Sequence, residues 1–219
     1  MPPYHEHVIT LSSFQQIDQE IGQHRFTAAE YAVVRRIIHT TADFEFKQLV
    51  SFSGDPFQAA LRAFREGLPV VSDVSMVASG IGGVVAKTWQ LPVAIAVQQT
   101  CDGLPLAALS TEPPSPPLPD ETRSAHGLRR CASRYPGAIF AIGNAPTALL
   151  ALCEGINRGD WSPAMVVGAP VGFINVVESK QMLADLQVPY ILVEGRKGGS
   201  AVAAAILNAL MIWAWEQLP

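Results

Sequence analysis

The sequence predicts one α/β/α domain spanning residues 1–219, with helices on both faces of a mainly parallel sheet of about five strands and N-terminal helices ahead of it. Three observations lead there. From residue 68 onward, Val/Ile-rich runs alternate with helix-compatible runs, with glycine or proline marking the turns. The apolar runs are continuous rather than alternating, as in strands covered on both faces. Strand, helix and strand in succession make right-handed βαβ crossovers, which stack helices against a parallel sheet.

In chain order, the first helix is expected over residues 28–39, where TAAE supplies a capping box through Thr27 and Glu30. A second is expected over 56–66. LPVVSDV, PVAIAVQQT, AIFAIG, PAMVVGAPVGF and PYILVEG then read as strands. Helices are expected in TALLALCEGINRG, ESKQMLADLQ and SAVAAAILNALMIWAW. The stretch PLAALSTEPPSPPLPDETRS interrupts the alternation, because its prolines forbid a helix or a central strand. It reads as an exposed excursion at about 105–120 within one domain, since the strands on both sides belong to one sheet.

Composition excludes several classes. The chain is 49% apolar and 16% charged, with a formal net charge of −4. No basic block or stripe is present, which argues against nucleic acid as a partner. The start, MPPYHEHVITL, lacks a basic region and a long apolar core, so no signal peptide is expected. The longest apolar run, from Ala201 to Trp215, is too short for a membrane span and is broken by Asn208. Cys101, Cys131 and Cys153 are odd in number and widely spaced, which suits reduced thiols and a cytoplasmic protein. His5 and His7, near a terminus expected to be mobile, are too few to make a metal site.

Ligands of open parallel sheets bind beyond the carboxyl ends of the strands. SDVSMVASGIGG, IGNAPT, GAPVGF and EGRKGGS fall at or near such ends. Arg196 and Lys197 precede the helix starting near Ser200, a carboxylate cradle or else a tight turn with solvated charges. GIGGVV lacks the third glycine of the dinucleotide fingerprint, GRKGGS lacks the P-loop lysine, and no GxSxG occurs. RIIHTTADFEF poses the sharpest question. His39 ends an apolar helical stretch, with Asp43 and Glu45 close behind, so it is either an acid–base group or a histidine satisfied by a carboxylate.

RIIHTTADFEF, DVSMVASGI, TRSAHGLRR, AIGNAPTALL, GAPVGFINVVESK and EGRKGGSAVAAA, taken together, resemble the precorrin-8X (cobalt-precorrin-8) methylmutases of corrin biosynthesis, in the same order from Ser13 to Leu210. The resemblance implies a Rossmann-like fold, a homodimer, no cofactor, and a corrinoid substrate whose methyl group moves from C11 to C12. His39 stands where the family has its catalytic histidine. Ser13, Arg123 and Ser124 match family segments at the substrate periphery, and Thr40, Asn144, Arg196, Lys197 and Ser200 complete the expected binding set. His126-Gly127 departs from the small residues usual after TRSA, and the proline-rich excursion is longer than the family pattern. Two other readings stay open at this point: a non-catalytic tetrapyrrole carrier, and a nucleotide-dependent oxidoreductase disfavoured by the failed glycine motif.

Overall fold

The computed structural model describes residues 4–99 and 117–218. Cys101 and residues 105–116 of the proline-rich stretch lie outside the described residues.

Helices α1 (Val8–Glu20) and α2 (Ala28–Thr41) come first, then the single turn α3 (Phe46–Leu49), strand β1 (Val50–Ser53) and α4 (Pro56–Arg65). The remainder alternates: β2 (Val70–Ser72), α5 (Ser75–Lys87), β3 (Val93–Ile95), α6 (Ala96–Gln99), α7 (Arg123–Arg134) and β4 (Ile139–Ile142). After these come α8 (Pro146–Arg158), β5 (Met165–Gly168), α9 (Val176–Ala184), β6 (Tyr190–Val193) and α10 (Ser200–Glu216). The capping box opens α2 as expected: Thr27 Oγ1 accepts from Glu30 N–H, and Glu30 accepts from Thr27 N–H at 2.8 Å.

The sheet has six strands in the order β1-β6-β5-β4-β2-β3, all parallel except β1, which pairs antiparallel with β6. The five expected strands are the five parallel ones, and the sixth is the short edge strand VSFS. Successive residues serve opposite faces. Val70, Ile139, Val167 and Ile191 pack under α2, α4, α5 and α10, while Val71, Phe140, Val166 and Leu192 pack under α7, α8 and α9. Helices on both faces thus bury both sides of the parallel strands, as the continuous apolar runs require.

Three expectations change. Residues 8–20, for which no element was expected, form a helix, with His7 Nδ1 capping it by accepting from Ile9 N–H. SDVSMVASGIGG is not a loop: α5 begins at Ser75, and Val77, Ile81, Val84 and Val85 form its buried stripe. The run PVAIAVQQT changes from strand to helix at Ala96.

Candidate active site

Because β1 runs against β6, its first residue, Val50, lies opposite Val193 at the carboxyl end of β6. The α2–α3 turn is therefore delivered to the carboxyl edge of the parallel strands. Within α2, Val33, Val34, Ile37 and Ile38 are buried, and the next residue, His39, turns out to solvent. Its ring meets Phe14 edge-on at 5.3 Å, and among the described residues it forms no hydrogen bond or ion pair. Thr40 bonds back to Arg36 O at 2.8 Å, and Ser13 to Ile9 O at 2.9 Å on the neighbouring helix. The carboxylates that follow His39 are not its partners. Asp43 and Glu45 both hold the Lys197 ammonium, at 2.5 and 2.7 Å. Hydrogen bonding to Lys197 lowers the Asp43 pKa, and the bonds to Asp43 and Glu45 raise that of Lys197.

Lys197 belongs to the β6–α10 loop, which is fastened to the β5–α9 loop beside it. Gly199 N–H donates to Ala169 O at 2.8 Å, and Gly172 N–H to Arg196 O at 3.4 Å. Gly198 is at φ 151, and a Cβ there would lie 2.4 Å from Ala169 O, so only glycine permits this approach. The Arg196 guanidinium stands 5.7 Å from the ring centroid of Phe173. Phe173 and Ile174 are 80% and 78% exposed, an apolar surface beside the two basic residues. Ser200 opens α10 with its Oγ buried and unpartnered.

A second cluster lies at the switch point, where the crossovers from β2 and β4 leave in opposite directions. Asp73, fully buried, follows β2 and accepts from Gly143, Asn144 and Ala145 N–H at 3.0, 2.7 and 2.8 Å. Burial raises its pKa, and these backbone bonds act against the rise without cancelling it. The anion position at the start of α8 is thus filled by the protein's own carboxylate, and the Asn144 N–H is taken; only its side chain faces a ligand question. Arg123 and Ser124 open α7 after the cap Thr122, whose hydroxyl is 2.8 Å from that of Thr147 on α8. Glu121 anchors this start, lying 3.2 Å from His126 Nδ1 and 2.7 Å from Arg129. Burial pushes the Glu121 carboxyl up, but the bonds from Arg129 and Leu118 N–H outweigh it and the net shift is downward.

The structure thus gathers Ser13, His39 and Thr40 at one corner, joined through Lys197 to Arg196 and Ser200. Arg123, Ser124 and Asn144 lie at the switch point, and Gly143, the residue before Asn144, packs directly against Ser200. From β6 to β2 is three strand spacings, roughly 14 Å. A cleft of about 340 Å³ between α1, α2 and α10 includes Phe14, Arg35 and Arg36 in its lining, but Arg35 and Arg36 are paired with Asp18 and Glu6. Sequence reasoning set Asp73 aside and passed over Lys180, Glu121 and Phe173. Asp73, after a strand and before a helix, carried the one usable signal.

Among the described residues no helix is long and apolar enough to cross a membrane, and no group of three or more His, Cys, Asp or Glu is placed to hold a metal ion. The family model for precorrin-8X methylmutase matches residues 8–213. The cobalt-precorrin-8 methylmutase of Synechocystis sp. is 42% identical over 97% of this chain and 98% of its own length. A precorrin-8X methylmutase from Sinorhizobium sp. is 36% identical over 90% of each chain. The solved precorrin-8X methyl mutase of Thermus thermophilus superposes with a TM-score of 0.81 at 38% identity, covering 96% of this chain and 98% of that one. A family match over nearly the whole length, on the same fold and with relatives named as methylmutases, establishes that this chain belongs to the precorrin-8X methylmutase family of isomerases.

Proposed function

We propose that the protein moves a methyl group from C11 to C12 of precorrin-8X or cobalt-precorrin-8, giving hydrogenobyrinic or cobyrinic acid in cobalamin biosynthesis, with His39 as proton donor and acceptor. The observation that carries this reading is His39 itself: an exposed imidazole with no hydrogen-bonding partner among the described residues, at the sheet edge where ligands of this fold bind. In the reaction the C11–methyl bond breaks as the C12–methyl bond forms, and the formula does not change. Nothing is oxidised or reduced. What speeds such a shift is a ring made more electron-accepting by a proton lent to a ring nitrogen or carbon and then returned. Imidazole suits this because it titrates near neutrality. Such general acid catalysis contributes about 10²–10⁴-fold, or roughly 3–5 kcal/mol of barrier. The rest falls to holding the flexible macrocycle in one conformation.

The substrate carries acidic arms while the protein carries net charge −4. Recognition is therefore local, through Arg123, Arg196 and Lys197, with Ser13, Thr40, Ser124, Asn144 and Ser200 as polar contacts. Arginine offers a carboxylate two parallel N–H donors. The exposed Phe173 and Ile174 give the macrocycle or a second subunit an apolar surface, consistent with a cytoplasmic homodimer. The test uses substrate labelled with ¹³C in the C11 methyl and protein well below the substrate concentration. Label appearing on C12 of many equivalents of product supports the enzyme. A spectral change that stops at one equivalent would instead mean a carrier.

A further inference from the structure

Lys180 is 2% exposed, on the inner stripe of α9 with Val176, Ser179 and Leu183. Among the described residues no carboxylate answers its charge. Its Nζ donates instead to two backbone carbonyls of the β6–α10 loop, Gly195 O at 2.8 Å and Lys197 O at 2.7 Å. The carbonyl between them, Arg196 O, accepts from Gly172 N–H. Three successive carbonyls are thus each held by a donor, in a segment with no ladder or helix to satisfy them.

An ammonium at a core-facing position costs free energy relative to a methionine or leucine of similar size, so its presence calls for a compensating role. What it holds is specific. The two carbonyls flank Arg196, and the same short loop carries Lys197 to Asp43 and Glu45, in the turn after His39. We propose that Lys180 is a positioning residue for substrate: its buried ammonium fixes the β6–α10 loop so that Arg196 and Lys197 stand at the carboxyl edge of the sheet, placed for the acidic arms of the macrocycle. This rests on the reading of that edge as the tetrapyrrole site.

Lys180→Met in the full chain tests it. Amide hydrogen exchange over residues 195–200 is expected to quicken about tenfold or more while other segments keep wild-type protection. KM and the Kd for the corrinoid product are expected to rise about tenfold with kcat changed by less than about threefold, as for a group that supports binding in ground and transition states alike. If Lys180→Met does not fold, Lys180→Gln, polar but too short to reach both carbonyls, is read by the same criteria. Wild-type loop exchange with wild-type Kd in a folded variant would overturn the proposal, and so would a loss in kcat with KM unchanged. Exchange needs no substrate, so it decides the clamp even if the wild-type protein bound no tetrapyrrole, an outcome that would defeat the functional reading alone.

Discussion

His39 and Lys180 are both polar residues on largely apolar helix faces, yet one opens to solvent and the other is sealed in. The sealed charge has a signature. Burial pushes the Lys180 pKa down from 10.5 to about 8. The unfolded chain therefore keeps this proton up to about 10.5, while the folded chain loses it near 8. Between those values the unfolded state binds more protons, so the stability contributed by this group rises with pH. Denaturant titrations should show the difference in unfolding free energy, wild type minus Lys180→Met, flat below pH 8 and rising toward 10.5. A difference that falls over that window would mean that the ammonium is favoured by its site. Arg123 is exposed at the start of α7. Arg123→Ala should weaken product affinity roughly 10–100-fold, the loss of a charge-assisted contact, with a smaller effect on kcat. Calorimetric titration showing unchanged affinity would remove the α7 start from the site. His39 drew notice because an apolar helical stretch ends at it, but only the family resemblance made it the catalytic candidate. Lys180 was not, because a lysine in ESK carries no local sign that two distant carbonyls lie above it. Asp73 showed its place between a strand and a helix, but its partners come from strand order, which puts Gly143, Asn144 and Ala145 beside it from 70 to 72 residues away.

The elements were legible wherever the apolar pattern was strong. The parallel strands and α2, α4, α8, α9 and α10 fall where their runs and caps place them. Strand β1 was hidden because four residues, paired on one side only, are too few for the alternation of Val50 and Phe52 with serines to be read. Helix α1 buries only Phe14 and Ile17 from its body, too sparse a stripe to read. Helix α5 was misread because its serines and glycines suggested a turn, although its buried stripe at 77, 81, 84 and 85 was there to be counted. The glycines instead let elements meet closely. A Cβ on Gly143 would stand 2.8 Å from Ser200 Cα and 2.9 Å from Val77 Cγ2, so the β4–α8 loop touches the start of α10 through that residue. Gly143→Ala is expected to destabilise the protein by about 1–3 kcal/mol, the range for overpacking a filled interior. Gly137→Ala is the control, since its Cβ would meet only Ser162 O at 4.0 Å. Equal melting temperatures for the two variants would contradict this packing.

At the scale of the whole molecule, one antiparallel edge strand decides where the chemistry sits. It turns the α2–α3 connection toward the carboxyl edge, and Lys197 then ties that connection to the β6–α10 loop. The switch point, with Arg123 and Ser124 at the start of α7, adjoins that loop where Gly143 packs against Ser200. The proposed substrate, a macrocycle with many acidic arms, would meet a local set of cations, Arg123, Arg196 and Lys197, on a protein of net charge −4. Fold class followed from patterning and the choice of His39 from resemblance, while the packing of Gly143 against Ser200 required the tertiary structure. The most direct measurement is turnover of metal-free and cobalt-containing substrate by wild type and His39→Ala, followed by absorbance, with product affinity and thermal melting recorded in parallel. His39 is exposed and packs only edge-on against Phe14, so the variant is expected to fold and bind product as wild type does. Its turnover should fall by about 10²–10⁴-fold, the general-acid contribution. A folded, product-binding His39→Ala protein that turns over at the wild-type rate would contradict the assignment of His39 as the proton carrier.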